Sequence, residues 1–324
     1  MIKATQMHKA FKSKVALPRY GFMNSVQDEA ELDTNYMIPG EFEKGCTPKE
    51  RREKWQAWTA NQISLLEKCF GPVWGGQHWS RHWVEITKAD LSLMRDLCKA
   101  NWDRAISSVP SVQVKHSELF ESEDDGNVEE TIVAYTPRGT FSNSKLAFLL
   151  STENEMLSKY LGTVHLTIKR AFQRPRPNQA AGYLIEDNEA KNFHFVGARS
   201  AWTPAFLSGH ALEYGLSFLG IQDAFEAEKA CATIIRTCAH MVTDVGDRRV
   251  FAGVHYPSDS LASWLILANI LNQYPKLRHM RAVFSNQLET SPVYTAIKSA
   301  KTLEEAKVYS KGLDKLHGAL CATP

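Results

Sequence analysis

The sequence is short of several features that would mark it as something other than an ordinary globular chain. Its six cysteines, Cys46, Cys69, Cys98, Cys231, Cys238 and Cys321, make no Cys-x-x-Cys pair, which excludes a zinc ribbon and a dense disulfide framework and leaves reduced core thiols. It has little excess charge, with 38 Lys and Arg against 36 Asp and Glu and a net +2. Nucleic-acid binding through bulk phosphate neutralisation is therefore not expected, and any cationic site must be local. Long apolar runs are missing too: the greasiest stretch, Leu261 to Leu271, contains Ser263 and Asn269 and falls well short of the roughly 20 residues a membrane span requires. Residues Met1 to Phe22 carry Lys3, Lys9, Lys12 and Lys14 and no continuous apolar segment, so no secretory signal is expected and the default address is cytoplasmic. No Gly/Ser-rich linker and no solenoid repeat divides the chain, so one structural domain is the simpler expectation.

What is present is helical periodicity. From Pro48 to Ala105 apolar residues recur at helical spacing (Trp55, Trp58, Ile63, Leu66 and Phe70, then Leu91, Met94, Leu97 and Trp102), predicting two helices interrupted at Gly71, Pro72, Gly75 and Gly76. Between Val112 and Pro137 the alternation of Thr131, Val133 and Tyr135 beside an acidic Glu121 to Gly126 turn predicts a small β-hairpin. Helices are then predicted over 146–160, 163–174, 209–225, 227–243, 257–271 and 303–316. The expected organisation is an N-terminal extension over 1–140 (an irregular arm, helices and hairpin), a helical core over 141–285 and a C-terminal helical tail over 286–324.

Three segments carry chemistry. In the first, Lys169 and Arg176 are seven residues apart, which returns to nearly the same helix face; Pro175 and Pro177 end the helix there, leaving Arg176 at its end or in the extended chain beyond. In the second, Ser208 precedes Gly209 and His210 at the start of an apolar helix. Ser208 suits the N-cap, Gly209 lets backbone approach a ligand, and the first N–H groups present a positive dipole end to an anion. In the third, Arg249 is followed by His255, Pro257 and Asp259. Pro257 suits the first turn of a helix, so Asp259 lies one turn beyond His255, where its carboxylate can fix the tautomer of the imidazole and leave the other nitrogen free.

The ordered pattern Lys-x6-Arg-Pro, Ser-Gly-His, Arg-x5-His-x3-Asp resembles the signature shared by type-2 phosphatidic acid phosphatases, bacterial class A acid phosphatases and vanadium-dependent haloperoxidases. It spans roughly residues 165 to 265. The resemblance implies an all-α helical bundle with the site at one end. It further implies that Lys169, Arg176, Ser208, Gly209 and Arg249 cradle a phosphate, that His255 is the nucleophile oriented by Asp259, and that His210 is the general acid. Two positions depart from the family pattern: Leu207 stands where a proline is usual and Arg248 where a serine is frequent.

The implied activity is hydrolysis of a small-molecule phosphate ester through a phosphohistidine, without a metal or other cofactor. Two alternatives use the same pocket. One holds vanadate with His255 as its protein ligand, for peroxide-dependent halide oxidation. The other grips a prenyl diphosphate with Trp202 and Phe206 lining its apolar tail, for lyase or diphosphatase chemistry. A homo-oligomer is compatible with the sequence. Arg170, Arg174 and Arg248 are read as solvated surplus cations, His78 and His82 as surface or packed histidines lacking the glutamate of a zinc motif, and Tyr183, Asp187 and Glu189 as a substrate-selecting loop.

Overall fold

The computed structural model describes residues 45–75, 78–106, 114–124, 128–135, 142–185, 193, 195, 203–227, 229, 232–300 and 307–321. The arm over residues 1–44, Cys231, Trp202, Asp187 and Glu189, and the side chains of His78 and Tyr183, lie outside what is described.

Helix α1 (Pro48–Phe70) begins at a capping box in which the Thr47 N–H donates to Glu50 Oε2 at 2.7 Å and the Glu50 N–H to Thr47 Oγ1 at 3.3 Å, with proline at the first position. It ends at Gly71, whose φ of 75° suits a residue without Cβ. One face, Trp55, Thr59, Gln62, Leu66 and Cys69, is buried at alternating four and three residue steps, with Phe70 buried four residues past Leu66. A two-stranded ribbon, β1 (Trp74–Gly75) and β2 (His78–Trp79), pairs Trp74 with Trp79 antiparallel and leads to α2 (Arg81–Asn101), capped by Ser80.

The segment predicted as a hairpin is helical in its described parts: α3 spans His116–Asp124 and α4 Val128–Ala134, with only an isolated bridge from Ala105 to Lys115 beside them. The reason is an ambiguity of period. The buried Thr131 and Tyr135, four apart, share a face under either period, but the exposed Val133 between them would share that face in a strand and points away only on a helix. Ile132, buried beside Thr131, likewise fits a helical face better than a strand with one face in solvent.

The chain continues through α5 (Asn143–Met156), a π turn over Leu157–Leu161, α6 (Val164–Phe172) and α7 (Pro177–Leu184). Then come α8 (Gly209–Ala227), α9 (Ala232–Phe251) and α10 (Pro257–Gln273), and after them a 3₁₀ turn over Pro275–Leu277, α11 (Met280–Leu288), α12 (Pro292–Ala300) and α13 (Lys307–Cys321). Helix α10 is buried at every position from Pro257 to Ala268, the mark of a helix apolar all round and enclosed by its neighbours. Helix α9 runs eight residues past the predicted end, so Arg248 and Arg249 belong to its last turn. Helices α7, α11 and α12 were not predicted; α7 and α12 each open on a proline, the usable signal for their starts. At the C-terminal end, α13 packs on α1 and α10: a Cβ on Gly312 would sit 2.9 Å from Phe70 and 3.1 Å from Leu261. The fold is all-α, and among the described residues no helix is long and apolar enough to cross a membrane.

Candidate active site

The site assembles where the C-terminal ends of α6 and α9 meet the N-terminal ends of α8 and α10. Helix α6 stops at Phe172, capped by Gln173 in a left-handed turn (φ 49°), and the prolines hold residues 174–176 extended. Lys169, on the last turn, is buried and donates from Nζ to the Pro204 carbonyl at 2.7 Å. Arg176 is also buried. Its Nε donates to Thr203 O at 2.7 Å, Nη1 to Val254 O at 2.7 Å, and Nη1 lies 2.9 Å from His255 Nε2.

His255 precedes α10, and Pro257 is that helix's first residue. Asp259, in the first turn, accepts the Tyr256 N–H at 3.0 Å on Oδ2, the same oxygen that lies 3.1 Å from His255 Nδ1. The carboxylate thus fixes the tautomer: Nδ1 carries the hydrogen given to Asp259, and the lone pair on Nε2 faces the Arg176 guanidinium. Burial, then the positive charges of Arg176, Lys169 and Arg249 and the imidazole of His210, hold His255 well below the ordinary imidazole range. The same crowding acts on Lys169, whose ammonium is disfavoured first by burial and then by Arg176. An anion placed among these groups would reverse the penalty.

Ser208 caps α8 as its position suggested, accepting the Ala211 N–H on Oγ at 3.3 Å. Its own N–H donates to Asp259 O at 3.3 Å, and its carbonyl accepts Ser263 Oγ–H at 2.7 Å, so the starts of α8 and α10 are tied together. Gly209 opens α8 against His165, to whose Cδ2 an added Cβ would come within 3.1 Å. His210 is half-buried on the first turn, with Nε2 3.3 Å from the Glu123 carbonyl; a carbonyl only accepts, so that contact requires a hydrogen on Nε2. Arg249 lies with its guanidinium 4.3 Å from the centre of the Phe120 ring. The eight residues singled out in the sequence, Lys169, Arg176, Ser208, Gly209, His210, Arg249, His255 and Asp259, therefore occupy one region.

Two corrections concern the surplus cations. Arg174 and Arg248 are not solvated; both are fully buried. Arg174 donates from Nη1 to Asp259 Oδ1 and Ser258 Oγ, each at 2.7 Å, and from Nη2 to Asp90 Oδ2 at 2.7 Å and Thr87 Oγ1 at 3.1 Å, with its guanidinium 3.5 Å from the Tyr256 ring centre. It thereby anchors the carboxylate that orients His255. Arg248 pairs with Glu123 and Tyr135, and Tyr135 donates to Asp244 Oδ2 at 3.1 Å. Asp90, Ser258 and Glu123 escaped the sequence reading because a carboxylate or hydroxyl within a helical stripe carries no local mark of its partner. Arg170 is half-buried.

Residues 154–278 match the family model described as the PAP2 superfamily. This segment is similar to the PAP2 superfamily. It contains all eight site residues, and the match supports phosphatase-type chemistry in general terms. Neither the curated proteins nor the solved structures yielded a match to the chain. Of the two departures from the pattern, Leu207 is fully buried beside Phe206, and Arg248 is spent on the Glu123 pair. Phe206 itself packs against Phe70, Trp83 and Phe172, so it serves the hydrophobic core.

Proposed function

We propose that the protein hydrolyses a small-molecule phosphate ester through a covalent intermediate on His255 Nε2, without a metal. The observation that carries this reading is the buried Asp259–His255–Arg176 chain, in which one imidazole nitrogen is tied to a carboxylate and the other faces a guanidinium. A neutral, oriented imidazole held away from protonation is what nucleophilic attack at phosphorus needs. When phosphate arrives, its oxygens take over the Arg176 donor, and Lys169, Arg249 and the first N–H groups of α8 stabilise the charge that spreads over the equatorial oxygens. His255 Nε2 bonds to phosphorus as the ester oxygen leaves, and His210 supplies the proton to that oxygen. Water then attacks the phosphohistidine, with His210 taking its proton and His255 released neutral.

Rapid acid-free quench of the enzyme with a labelled phosphomonoester should trap an acid-labile, alkali-stable phosphoprotein, absent in His255→Ala. A His255→Ala protein that keeps its turnover would overturn the assignment. So would bromide oxidation by peroxide and added vanadate with no phosphate release from p-nitrophenyl phosphate, and so would turnover confined to a prenyl diphosphate.

A further inference from the structure

The groups that hold His255 do not end with Asp259. Beyond it runs a chain of buried hydrogen bonds that leaves the matched segment altogether. Asp259 Oδ1 accepts from Arg174 Nη1 at 2.7 Å, Arg174 Nη2 donates to Asp90 Oδ2 at 2.7 Å, and Asp90 Oδ1 accepts the Tyr309 hydroxyl at 2.7 Å. Asp90 lies on α2 and Tyr309 on α13, both outside residues 154–278. With His255 Nδ1 3.1 Å from Asp259 Oδ2, five side chains are joined in series, and none is more than 1% exposed. Helix α13 brings Tyr309 this deep because Gly312, less than one turn further on, has no Cβ to meet Phe70 and Leu261.

Asp90 is held from several directions. Besides Arg174 and Tyr309, the Ser258 N–H donates to its Oδ1 at 3.0 Å and the Ser258 hydroxyl to its Oδ2. Burial, then the charge of Asp90 and the hydrogen bond to it, keep the Tyr309 phenol well above its ordinary range, so it stays a donor. The consequence falls on Asp259. Burial raises that carboxyl above its ordinary range, Arg174 pulls it down, and Asp90 pushes it up again. A guanidinium given to Asp259 alone would draw charge from the oxygen that faces the imidazole; shared with Asp90, it draws less. Asp259 thereby keeps its strength as an acceptor while the imidazole gains positive charge on bonding to phosphorus.

We propose that Asp90 and Tyr309 are positioning residues for the nucleophile: through Arg174 they fix the orientation and charge of Asp259, and through Asp259 the orientation of His255. This rests on the assignment of His255 as the nucleophile, and it makes α2 and α13, on either side of the matched segment in sequence, working parts of the site.

The resting protein and the working enzyme test it separately. In the full chain labelled with nitrogen-15 histidine, the His255 Nδ1–H proton, identified by its loss in His255→Ala, reports the bond to Asp259 by NMR whatever reaction the site performs. Asp90→Asn leaves Arg174 to Asp259 alone, weakens the bond and should move that signal upfield; Tyr309→Phe should move it less. With p-nitrophenyl phosphate, kcat should fall about tenfold or more in Asp90→Asn and about threefold in Tyr309→Phe, the scale on which outer hydrogen bonds act through an oriented histidine. KM should stay within about twofold, because Lys169 and Arg176 bond elsewhere, to Pro204, Thr203 and Val254. In an Asp259→Asn background, Asp90→Asn should cost less than about twofold more, since the route through Asp259 is already cut. Circular dichroism identifies the folded variants, and Tyr309→Phe, which removes a single oxygen, carries the test if Asp90→Asn does not fold. The proposal is overturned if the Nδ1–H signal stays in place in the folded variants, or if the kcat losses persist in full in the Asp259→Asn background. A wild type that releases no phosphate overturns the nucleophile assignment instead, and the NMR signal still decides whether Asp90 and Tyr309 orient His255.

Discussion

Arg174 bridges two carboxylates, Asp90 and Asp259, with its guanidinium stacked on Tyr256 and every one of these groups buried. Burial opposes its charge, but the two carboxylates outweigh that and raise its pKa. Removing the cation alone would strand both acids, so Arg174→Met should lose about 3–5 kcal/mol of stability, read from the urea midpoint at constant slope. At Asp259 the effect should be on chemistry: Asp259→Asn keeps a polar group beside Nδ1 but no longer demands the Nδ1–H tautomer. Its kcat should fall by on the order of 10²–10⁴, measured at a temperature where circular dichroism shows the variant folded. His255 is held below the ordinary imidazole range by burial and by neighbouring cations. The acid limb of kcat/KM, where the nucleophile takes up its proton, should therefore lie below pH 6.5, and a limb above that value would contradict the neutral-nucleophile reading.

The elements that place these side chains are held close by missing atoms. A Cβ on Gly246 in α9 would lie 2.8 Å from Ala211 Cβ and 3.3 Å from Ala211 Cα in α8. The second contact is backbone, which cannot swing aside as a side chain can. Gly246→Ala should therefore cost about 1–3 kcal/mol through overpacking, with the better helix propensity of alanine returning up to about 1 kcal/mol. Because Ala211 follows His210 and Gly246 precedes Arg249 by less than a turn, the same substitution should raise KM for a phosphomonoester, which steady-state kinetics would detect. Helix starts were legible at Ser208 and Pro257, where the chain marks them chemically; Thr47 with Glu50 and Ser80 open α1 and α2 by the same chemistry but were not read from the sequence. Helices α3 and α4 were not, since their short stretches place Thr131 and Tyr135 on one face under either period.

For the molecule as a whole, buried histidines set the response to acid. His116 titrates near 3 in the fold because burial, then Arg248 and Arg104, oppose its charge, against 6.5 for an unperturbed imidazole. The unfolded chain then binds more protons across that interval, so stability falls as pH drops through 6.5 and continues to fall toward 3, by up to about 5 kcal/mol from this residue. Glu123, pushed up to about 7 by burial against the pull of Arg248, works oppositely, losing stability as pH rises from 4.5 to 7. His116→Gln should flatten the acid side of a plot of urea midpoint against pH; an unchanged slope below 6.5 would show that His116 does not carry it.

By itself the sequence determined the helical class, through stripes spaced by three and four residues. It also named the residues of the proposed anion site, because Lys169 and Arg176, Ser208 to His210, and Arg249 to Asp259 each sit at a helix end whose capping or proline chemistry is local. Only the tertiary structure decided what those groups touch. Arg174 and Arg248 are indistinguishable in sequence from solvated arginines, and become buried anchors only when Asp90 and Glu123, 84 and 125 residues away, are folded against them. Such pairings depend on which helix faces meet, and no local period or cap encodes that.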